Sequence, residues 1–323
     1  MSEKVITAYK GFDKNMQCRG FRYEIGKEYD IEGEIELCGR GFHSCKSPIE
    51  VWKFYDLIDG DNHFAEVELS GKIIEDKSST KVCSSHIKIK NELSLTDMIN
   101  IGNRYLKDTA SSAKIKTNKV DVSKINEFNT GDELTKFSSD EDDIIIRTSD
   151  SNVLISSDGI YTKVISDGYN NQICANGKGS KIISDGGEGA IISTGDYSRI
   201  NTSSYLNDIV STGKNADIIS NGDLCHIVST GDYSHIMATG YHTCIDSEGY
   251  KCRIIGEGLH NKIKAKKGSW ITLVEWGLLD DDGHSTIENV RTEYVDGINI
   301  KEDTWYEIKN GEFVETQPYH FKH

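Results

Sequence analysis

A nine-residue repeat marked by glycine constrains this chain more than any other feature. From Gly159 to Gly258, eleven of the twelve positions spaced nine residues apart are glycine, and Ser204 is the exception. The fifth residue after each of these positions is isoleucine or valine, and the third and seventh are small or polar. Periodicity of this kind is typical of a solenoid, in which each repeat adds one short unit to a stack.

The spacing within the repeat predicts a β-strand followed by a corner. Side chains alternate along a strand, so the third, fifth and seventh residues share one face and we expect them to point inward. We expect the glycine to lie at the corner, where it adopts a positive φ without steric strain. Two repeats then make one coil with two facing sheets, and a triangular coil of three repeats is the alternative. The pattern extends upstream through Ile155 and Ile146, which predicts about fourteen repeats in about seven coils.

The sixth residue of the repeat should point outward, yet it is mostly apolar. With two repeats per coil, one outer face carries an apolar stripe formed by Ile165, Ile183, Ile219, Met237 and Ile255. The residues two positions earlier are mostly basic and include Lys163, Lys181 and Arg199. Apolar surface of this extent rarely stays in water. The sequence therefore predicts a protein interface on this face, most simply a homodimer, with burial under a flanking domain as the alternative.

Residues 1–118 lack the repeat and have the pattern of a small α+β domain. Ser47 and Pro48 are typical of a helix start, and Glu50 completes the pattern of a capping box. Residues 64–69 alternate as a strand does, and Ser94 is predicted to cap an amphipathic second helix.

The same region contains a possible zinc-ligand set. Cys18, Cys38, His43 and Cys45 lie within 28 residues, but the usual pairing of cysteines two residues apart is absent. The alternative is that the cysteines fill a small core. We expect no metal and no cofactor, with zinc as the weaker possibility.

The remaining segments connect and close the solenoid. Residues 119–143 are predicted to be a polar linker that ends in the acidic run Asp140, Glu141, Asp142 and Asp143. The solenoid is predicted over residues 144–267. Residues 268–323 contain two hairpin signals, Asp296-Gly297 and Asn310-Gly311. They are predicted to form a small β cap on the last coil, because solenoids need capped ends.

Net charge and hydropathy exclude some functional classes for this chain. The formal net charge of −15 argues against nucleic-acid binding driven by phosphate contacts, which requires clustered Lys and Arg. No apolar run is long enough to cross a membrane, and the first residues lack the pattern of a signal peptide. We therefore expect a protein of the bacterial cytoplasm, without membrane contact, whose eight cysteines are reduced.

Several short motifs resemble an uncharacterised family of phage and prophage proteins. These are Tyr9-Lys10-Gly11-Phe12, Cys18-Arg19-Gly20-Phe21 and Gly41-Phe42-His43-Ser44-Cys45, followed by the glycine nonamers. The resemblance covers nearly the whole chain. It implies an origin in a mobile element and no known reaction.

A second set of residues resembles the Arg-Ser-Glu triad of ADP-ribosyltransferases. Lys10 would stand in the place of the arginine, Ser44 in that of the serine, and Glu66 or Glu68 in that of the glutamate. The resemblance implies an NAD-dependent transferase, although a lysine cannot bind phosphate in the bidentate manner of an arginine. This enzyme is the alternative hypothesis for the chain.

The main hypothesis is a non-enzymatic protein that binds a macromolecule. An acidic rod can imitate the charges of a nucleic acid duplex, so we expect the partner to be a host nucleic-acid-handling or defence complex that the protein inhibits. The acidic residues expected to contact it are the run at 140–143 and the corner residues Asp158, Asp167, Asp185, Glu248 and Glu257.

Overall fold

The computed structural model describes residues 4–58, 61–110, 119–121, 135–279 and 285–319. The protein is mainly β, with 47% strand and 8% helix. A parallel β-solenoid of about 8 turns spans residues 135–273, with an N-terminal domain before it. The predicted fold class is therefore confirmed.

Each coil of the solenoid contributes one strand to each of two sheets, so the coil contains two repeats as predicted. We call the first sheet the covered sheet; its parallel strands are β9 (Thr135–Ser139), β11 (Val153–Ser157), β13 (Gln172–Ala175), β15 (Ala190–Ser193), β17 (Asp208–Ser211), β19 (His226–Ser229), β21 (Cys244–Ser247) and β23 (Lys262–Ala265). We call the second the open sheet; it contains β8 (Lys119–Asp121), β10 (Ile145–Thr148), β12 (Lys163–Ser166), β14 (Lys181–Ser184), β16 (Arg199–Thr202), β18 (Asp217–Ser220), β20 (His235–Ala238), β22 (Arg253–Gly256) and β24 (Trp270–Leu279).

The solenoid is longer than the sequence predicted. Strands β8 and β9 belong to its sheets although they lie within residues 119–143, which the sequence predicted as a linker. Residues 122–134 lie outside the described part of the chain. At the other end, β24 continues the open sheet beyond residue 267. The glycine repeat in the sequence identifies only the coils in the middle of the solenoid. It therefore does not show where the first and last coils lie.

The interior is a ladder of isoleucines, as the fifth position predicted. Ile173, Ile191, Ile209 and their counterparts on the open sheet are fully or almost fully buried in one continuous cluster. The residue at the third position is also buried, and its hydroxyl often donates to the carbonyl of the repeat glycine, as Ser198 does to Gly195 at 2.6 Å. The interior therefore combines apolar burial with satisfied corner hydrogen bonds.

The explanation offered for the glycine was wrong. None of the repeat glycines has a positive φ; that conformation occurs two residues later, mostly at non-glycine residues such as Tyr197, Leu206 and His242. The glycine is required by stacking instead. A Cβ on Gly213 would lie 2.0 Å from the carbonyl oxygen of Gly195 in the preceding coil.

The single exception supports this explanation. Ser204 has a Cβ that faces the corner of the preceding coil. Next to it, the hydrogen bond from the Ser203 N–H to the Ser184 carbonyl is 3.2 Å long. The equivalent bond one coil earlier, from Asp185 to Ser166, is 2.8 Å. The coils are thus slightly separated where the glycine is missing.

The N-terminal domain is built on a five-stranded sheet of β1 (Ile6–Phe12), β4 (Glu28–Asp30), β5 (Phe42–Cys45), β6 (His63–Glu75) and β7 (Lys81–Leu93). The strand order is β4-β7-β5-β1-β6, and β7 also pairs with β6, which closes the sheet on itself. A small hairpin of β2 (Gln17–Cys18) and β3 (Phe21–Arg22) lies beside it. Residues 111–118, which the sequence assigned to this domain, lie outside the described part.

Two helices accompany the sheet. The first is a 3₁₀ helix, Pro48–Lys53, and the predicted capping box is wrong because Ser47 makes no side-chain cap. The second is α1 (Leu95–Ala110), and here the predicted cap is confirmed. The Ser94 hydroxyl accepts from the Asp97 N–H at 3.1 Å, and Asp97 accepts from the Ser94 N–H at 3.0 Å.

The C-terminal segment closes the last coil, as predicted. Strand β24 forms an antiparallel hairpin with β25 (Ser285–Tyr294). Strand β26 (Tyr306–Lys309) pairs with β23 of the covered sheet and with β27 (Glu312–Glu315). Both sheets therefore end in antiparallel strands that cannot continue the solenoid.

Candidate functional site

The outer face of the covered sheet is sealed by the N-terminal domain and the C-terminal segment. Its sixth-position residues Cys174, Ile192, Val210 and Val228 are completely buried. They belong to one cluster with Ile49, Val51, Trp52, Met98, Ile99 and Leu106 of the two helices and with Trp305 and Tyr319. The burial that the sequence analysis considered as an alternative occurs, but on this sheet rather than on the sheet with the predicted stripe.

Polar contacts fix the N-terminal domain on this face. The Ser47 hydroxyl donates to the Gln172 amide oxygen at 2.6 Å, which replaces the expected helix cap. The buried Glu50 carboxylate accepts from the Thr80 N–H at 2.9 Å and lies 3.4 Å from the Gln172 amide nitrogen. The residues that resembled a capping box therefore join the domain to the solenoid.

Beyond β12, the outer face of the open sheet is partly exposed in the described part of the chain. Ile183, Ile219, Met237 and Ile255 are partly exposed along it, whereas Ile165 is buried. The face continues onto the cap through Trp270 and Tyr294, whose rings lie 5.1 Å apart and are 51% and 43% exposed. The predicted stripe is thus an open, half-apolar surface.

The same face carries a row of cations. The fourth-position residues stand in register from strand to strand as Lys163, Lys181, Arg199, Asp217, His235 and Arg253. Among the described residues, the three predicted cations Lys163, Lys181 and Arg199 form no ion pair. One surface of a protein with a net charge of −15 is therefore locally positive and available for an acidic group.

The candidate acidic residues do not form one patch. Asp140, Glu141, Asp142, Asp143 and Asp158 follow strands of the covered sheet, whereas Asp167 and Asp185 follow strands of the open sheet, so the two sets line opposite edges of the rod. Several also have partners within the chain. Asp158 pairs with Lys107 of α1, Asp142 accepts from the Ile160 N–H at 2.9 Å, and Asp185 accepts from Ser203 at 2.6 Å.

The N-terminal domain contains a cavity of about 330 Å³ that several candidate residues line. Lys10, Ser44, Cys18, Cys38, His43 and Cys45 all reach it. The ammonium group of Lys10 donates to the His43 carbonyl at 2.7 Å and lies 3.3 Å from the Cys18 sulfur. This cavity was not predicted, because its walls come from six separate stretches of sequence between Tyr9 and Lys81.

The residues of the transferase alternative are not brought together. Tyr9 lies directly opposite Glu66 in the pairing of β1 with β6, so the two share one face of the sheet. Lys10 is next to Tyr9 in the strand and points to the other face. Glu68 lies on the face of Glu66 and pairs with Lys90 at 2.8 Å. Lys10 and the two glutamates thus lie on opposite sides of the sheet.

The weak zinc candidates do not form a ligand set. Within the ranges described above, no three His, Cys, Asp or Glu side chains stand close enough together to hold a metal ion. Burial raises the pKa of the Cys45 thiol well above its usual value, which favours the neutral thiol over the thiolate that binds zinc.

The residue type at the fourth position of the repeat could have shown which outer face of the solenoid is covered and which is exposed. On the covered sheet it carries few full charges and includes Gln172, Ala190 and Cys244, whereas on the open sheet it is almost always charged. A row of uncharged or compact side chains can be buried under another domain, but a row of unpaired cations cannot.

Comparison with known proteins adds a domain assignment. Residues 6–101 match the family described as "Domain of unknown function (DUF7666)". No curated protein and no solved structure matches the chain. In the part of the chain that the structure describes, no helix is long and apolar enough to span a membrane.

Proposed function

We propose that the chain is a non-enzymatic macromolecule-binding protein of phage or prophage origin that pairs with a second copy through its open sheet. The observation that carries this proposal is the difference between the two outer faces of the solenoid. One is sealed by a whole domain, and the other displays partly exposed aliphatic residues beside unpaired cations. Surfaces of this kind are typical of protein interfaces.

A two-fold axis parallel to the strands, between β16 and β18, gives the best charge complementarity. It would place each Arg199 opposite Asp217 of the second copy, because these residues are neighbours in register. Ile183 would face Met237, and Ile255 would face β12, whose Ile165 is already buried. A two-fold interface is self-complementary in this way. Lys163 and Lys181 would face Arg253 and His235, so like charges limit the affinity.

The area of the outer face of the open sheet predicts a weak dimer. The open face measures about 34 Å by 13 Å, which corresponds to about 900 Å² buried in total over two copies. Stable interfaces usually bury about 1,200–2,000 Å², and smaller ones belong to transient complexes. We therefore expect a dissociation constant in the micromolar range. Salt should tighten the dimer by screening the facing cations.

The test of the dimer is light scattering with variants of the open face. Arg199→Asp or Asp217→Arg alone should give a monomer, and the two together should restore the dimer. Ile160→Asp is the matched control, because Ile160 is 42% exposed but lies at a corner outside this face. A concentration-independent monomer for the unchanged protein, or a dimer that survives both single changes, would refute the proposal.

We further propose that the partner is a host nucleic-acid-handling or defence complex, inhibited in the bacterial cytoplasm. The net charge of −15 and the acidic run at 140–143, which stays on the outer edge of the rod, support a basic partner. Substituting Asn or Gln at these four positions should abolish capture of the partner from host lysate and inhibition of its activity. Recovery of no nucleic-acid-handling protein by the unchanged chain would contradict the proposal.

A further inference from the structure

The cavity of the N-terminal domain is positively charged and has no acidic wall. Among the residues that line it, Lys10, Arg19 and Lys81 are cations, and none is an aspartate or glutamate. Two acidic groups close to lining residues, Glu50 near Cys45 and Asp13 near Tyr55, have hydrogen-bond partners within the chain. Glu50 is bound by Thr80, and Asp13 accepts from the Asn15 and Gln17 N–H groups at 2.8 and 2.9 Å.

Lys10 is the least expected of these cations because its side chain is only 4% exposed. Its ammonium group contacts the His43 carbonyl and the Cys18 sulfur and lies 5.3 Å from the centre of the Tyr23 ring. An ammonium group has three donors, and no carboxylate of the described chain pairs with it. A buried cation without a counter-ion is unfavourable, so a bound anion would stabilise this arrangement.

The positive charges around the cavity also change the pKa of His43. Burial lowers the pKa of this imidazole, and the positive charges of Arg19 and Lys10 lower it further. Lys10 and Arg19 are therefore both close enough to His43 to act on it, while the Arg19 guanidinium also donates to the Cys38 and Gly39 carbonyls at 3.2 and 3.1 Å.

We propose that this cavity binds a small phosphate-bearing ligand. Three cations lining one cavity suit a doubly charged anion better than a single carboxylate. The volume of about 330 Å³ is at the lower end for ligand sites, which limits the ligand to about the size of a mononucleotide. Phe54 and Tyr55 supply an aromatic wall against which a planar ring can pack. This inference is independent of the dimer and of the inhibited partner.

Calorimetric titration of the full chain tests the proposal with three probes: adenosine monophosphate, inorganic phosphate and adenosine. We expect the two phosphate-bearing probes to bind and adenosine not to bind. Tighter binding of the nucleotide than of phosphate identifies an ester with a ring as the ligand, and equal binding identifies the phosphate group alone. Failure of both phosphate probes to bind at millimolar concentration, or equal binding of adenosine, would overturn the proposal.

Variants locate the site. Arg19→Gln and Lys81→Gln remove cations from partly or fully exposed positions and should each weaken phosphate binding about tenfold, because each removes one charge-assisted contact. Lys10→Met should abolish binding, although its burial also places the fold at risk. Lys27→Gln is the control, since Lys27 is exposed in the same domain and does not line the cavity. Unchanged binding by both exposed variants would place the anion elsewhere and refute the proposal.

Discussion

Replacing one repeat glycine by alanine tests the stacking explanation, and two adjacent glycines provide the comparison. A Cβ on Gly186 would lie 1.9 Å from the Gly168 carbonyl oxygen in the preceding coil. A Cβ on Gly187 would come no closer than 3.0 Å to any atom, the nearest being the Tyr205 carbonyl oxygen. Neither glycine has a positive φ, so alanine strains neither backbone conformation.

The expected free energies follow from these distances. At Gly186 the two backbones must move apart to admit the Cβ, which adds about 1–3 kcal/mol of overpacking. It also weakens ladder bonds such as that from Asp185 to Ser166, now 2.8 Å, at about 1 kcal/mol each. Both alanines restrict the unfolded chain and regain about 0.4–1 kcal/mol. We expect Gly186→Ala to destabilise by about 2–3 kcal/mol and Gly187→Ala to change stability by less than about 1 kcal/mol.

Urea unfolding followed by circular dichroism measures both variants under identical conditions. The effect of alanine on the unfolded state cancels in the difference between the two free energies of unfolding, because the substitution is the same and the positions are adjacent. A Gly186→Ala variant as stable as Gly187→Ala would refute the claim that glycine is needed for close approach of the coils.

Three further predictions concern the corners, a buried carboxyl group and the thiols. Lys251 is exposed with a φ of 58°, so Lys251→Gly should stabilise the protein by up to about 1 kcal/mol in the same urea assay; destabilisation would contradict the strain argument. Burial raises the pKa of Asp246 to about 6 from 3.8 although Lys264 opposes the shift. Its ionisation should therefore lower stability as pH rises from about 4 to 6, by at most about 3 kcal/mol relative to Asp246→Asn; parallel stability curves would contradict this. Cys38 is exposed and Cys174 is buried, and burial raises the pKa of the Cys174 thiol. A thiol reagent at pH 8 should label Cys38 within minutes and Cys174 only on unfolding, as read by peptide mass spectrometry.

The sequence was sufficient for the solenoid because its pattern is local and repeated. Strand alternation alone places an isoleucine such as Ile191 in the interior of every coil. The two-sheet coil and its apolar interior could therefore be predicted directly from the sequence. The role of the glycine did not follow, because the contact that requires it joins residues eighteen positions apart in neighbouring coils. A single repeat gives no indication of how closely the next coil approaches.

The docking of the N-terminal domain was not predictable from local pattern either. Ser47 and Glu50 have the spacing of a capping box, yet both contacts go to residues far away in sequence, Gln172 and Thr80. Tertiary contacts overrode a local preference here. Ile183 and Lys181 lie on the outer face of the same strand, as strand alternation predicts, and the role of this face as an interface stays a prediction.

The claim that one face of the solenoid is sealed and the other open is tested most directly by solvent accessibility of isoleucine methyl groups. Relaxation by a soluble paramagnetic agent can be measured by NMR on the Asp217→Arg variant, in which self-association should not shield the open face. We expect strong relaxation for Ile183 and Ile255, and protection for Ile191 in the interior and Ile192 under the N-terminal domain. Relaxation of Ile192 equal to that of Ile183 would contradict the account.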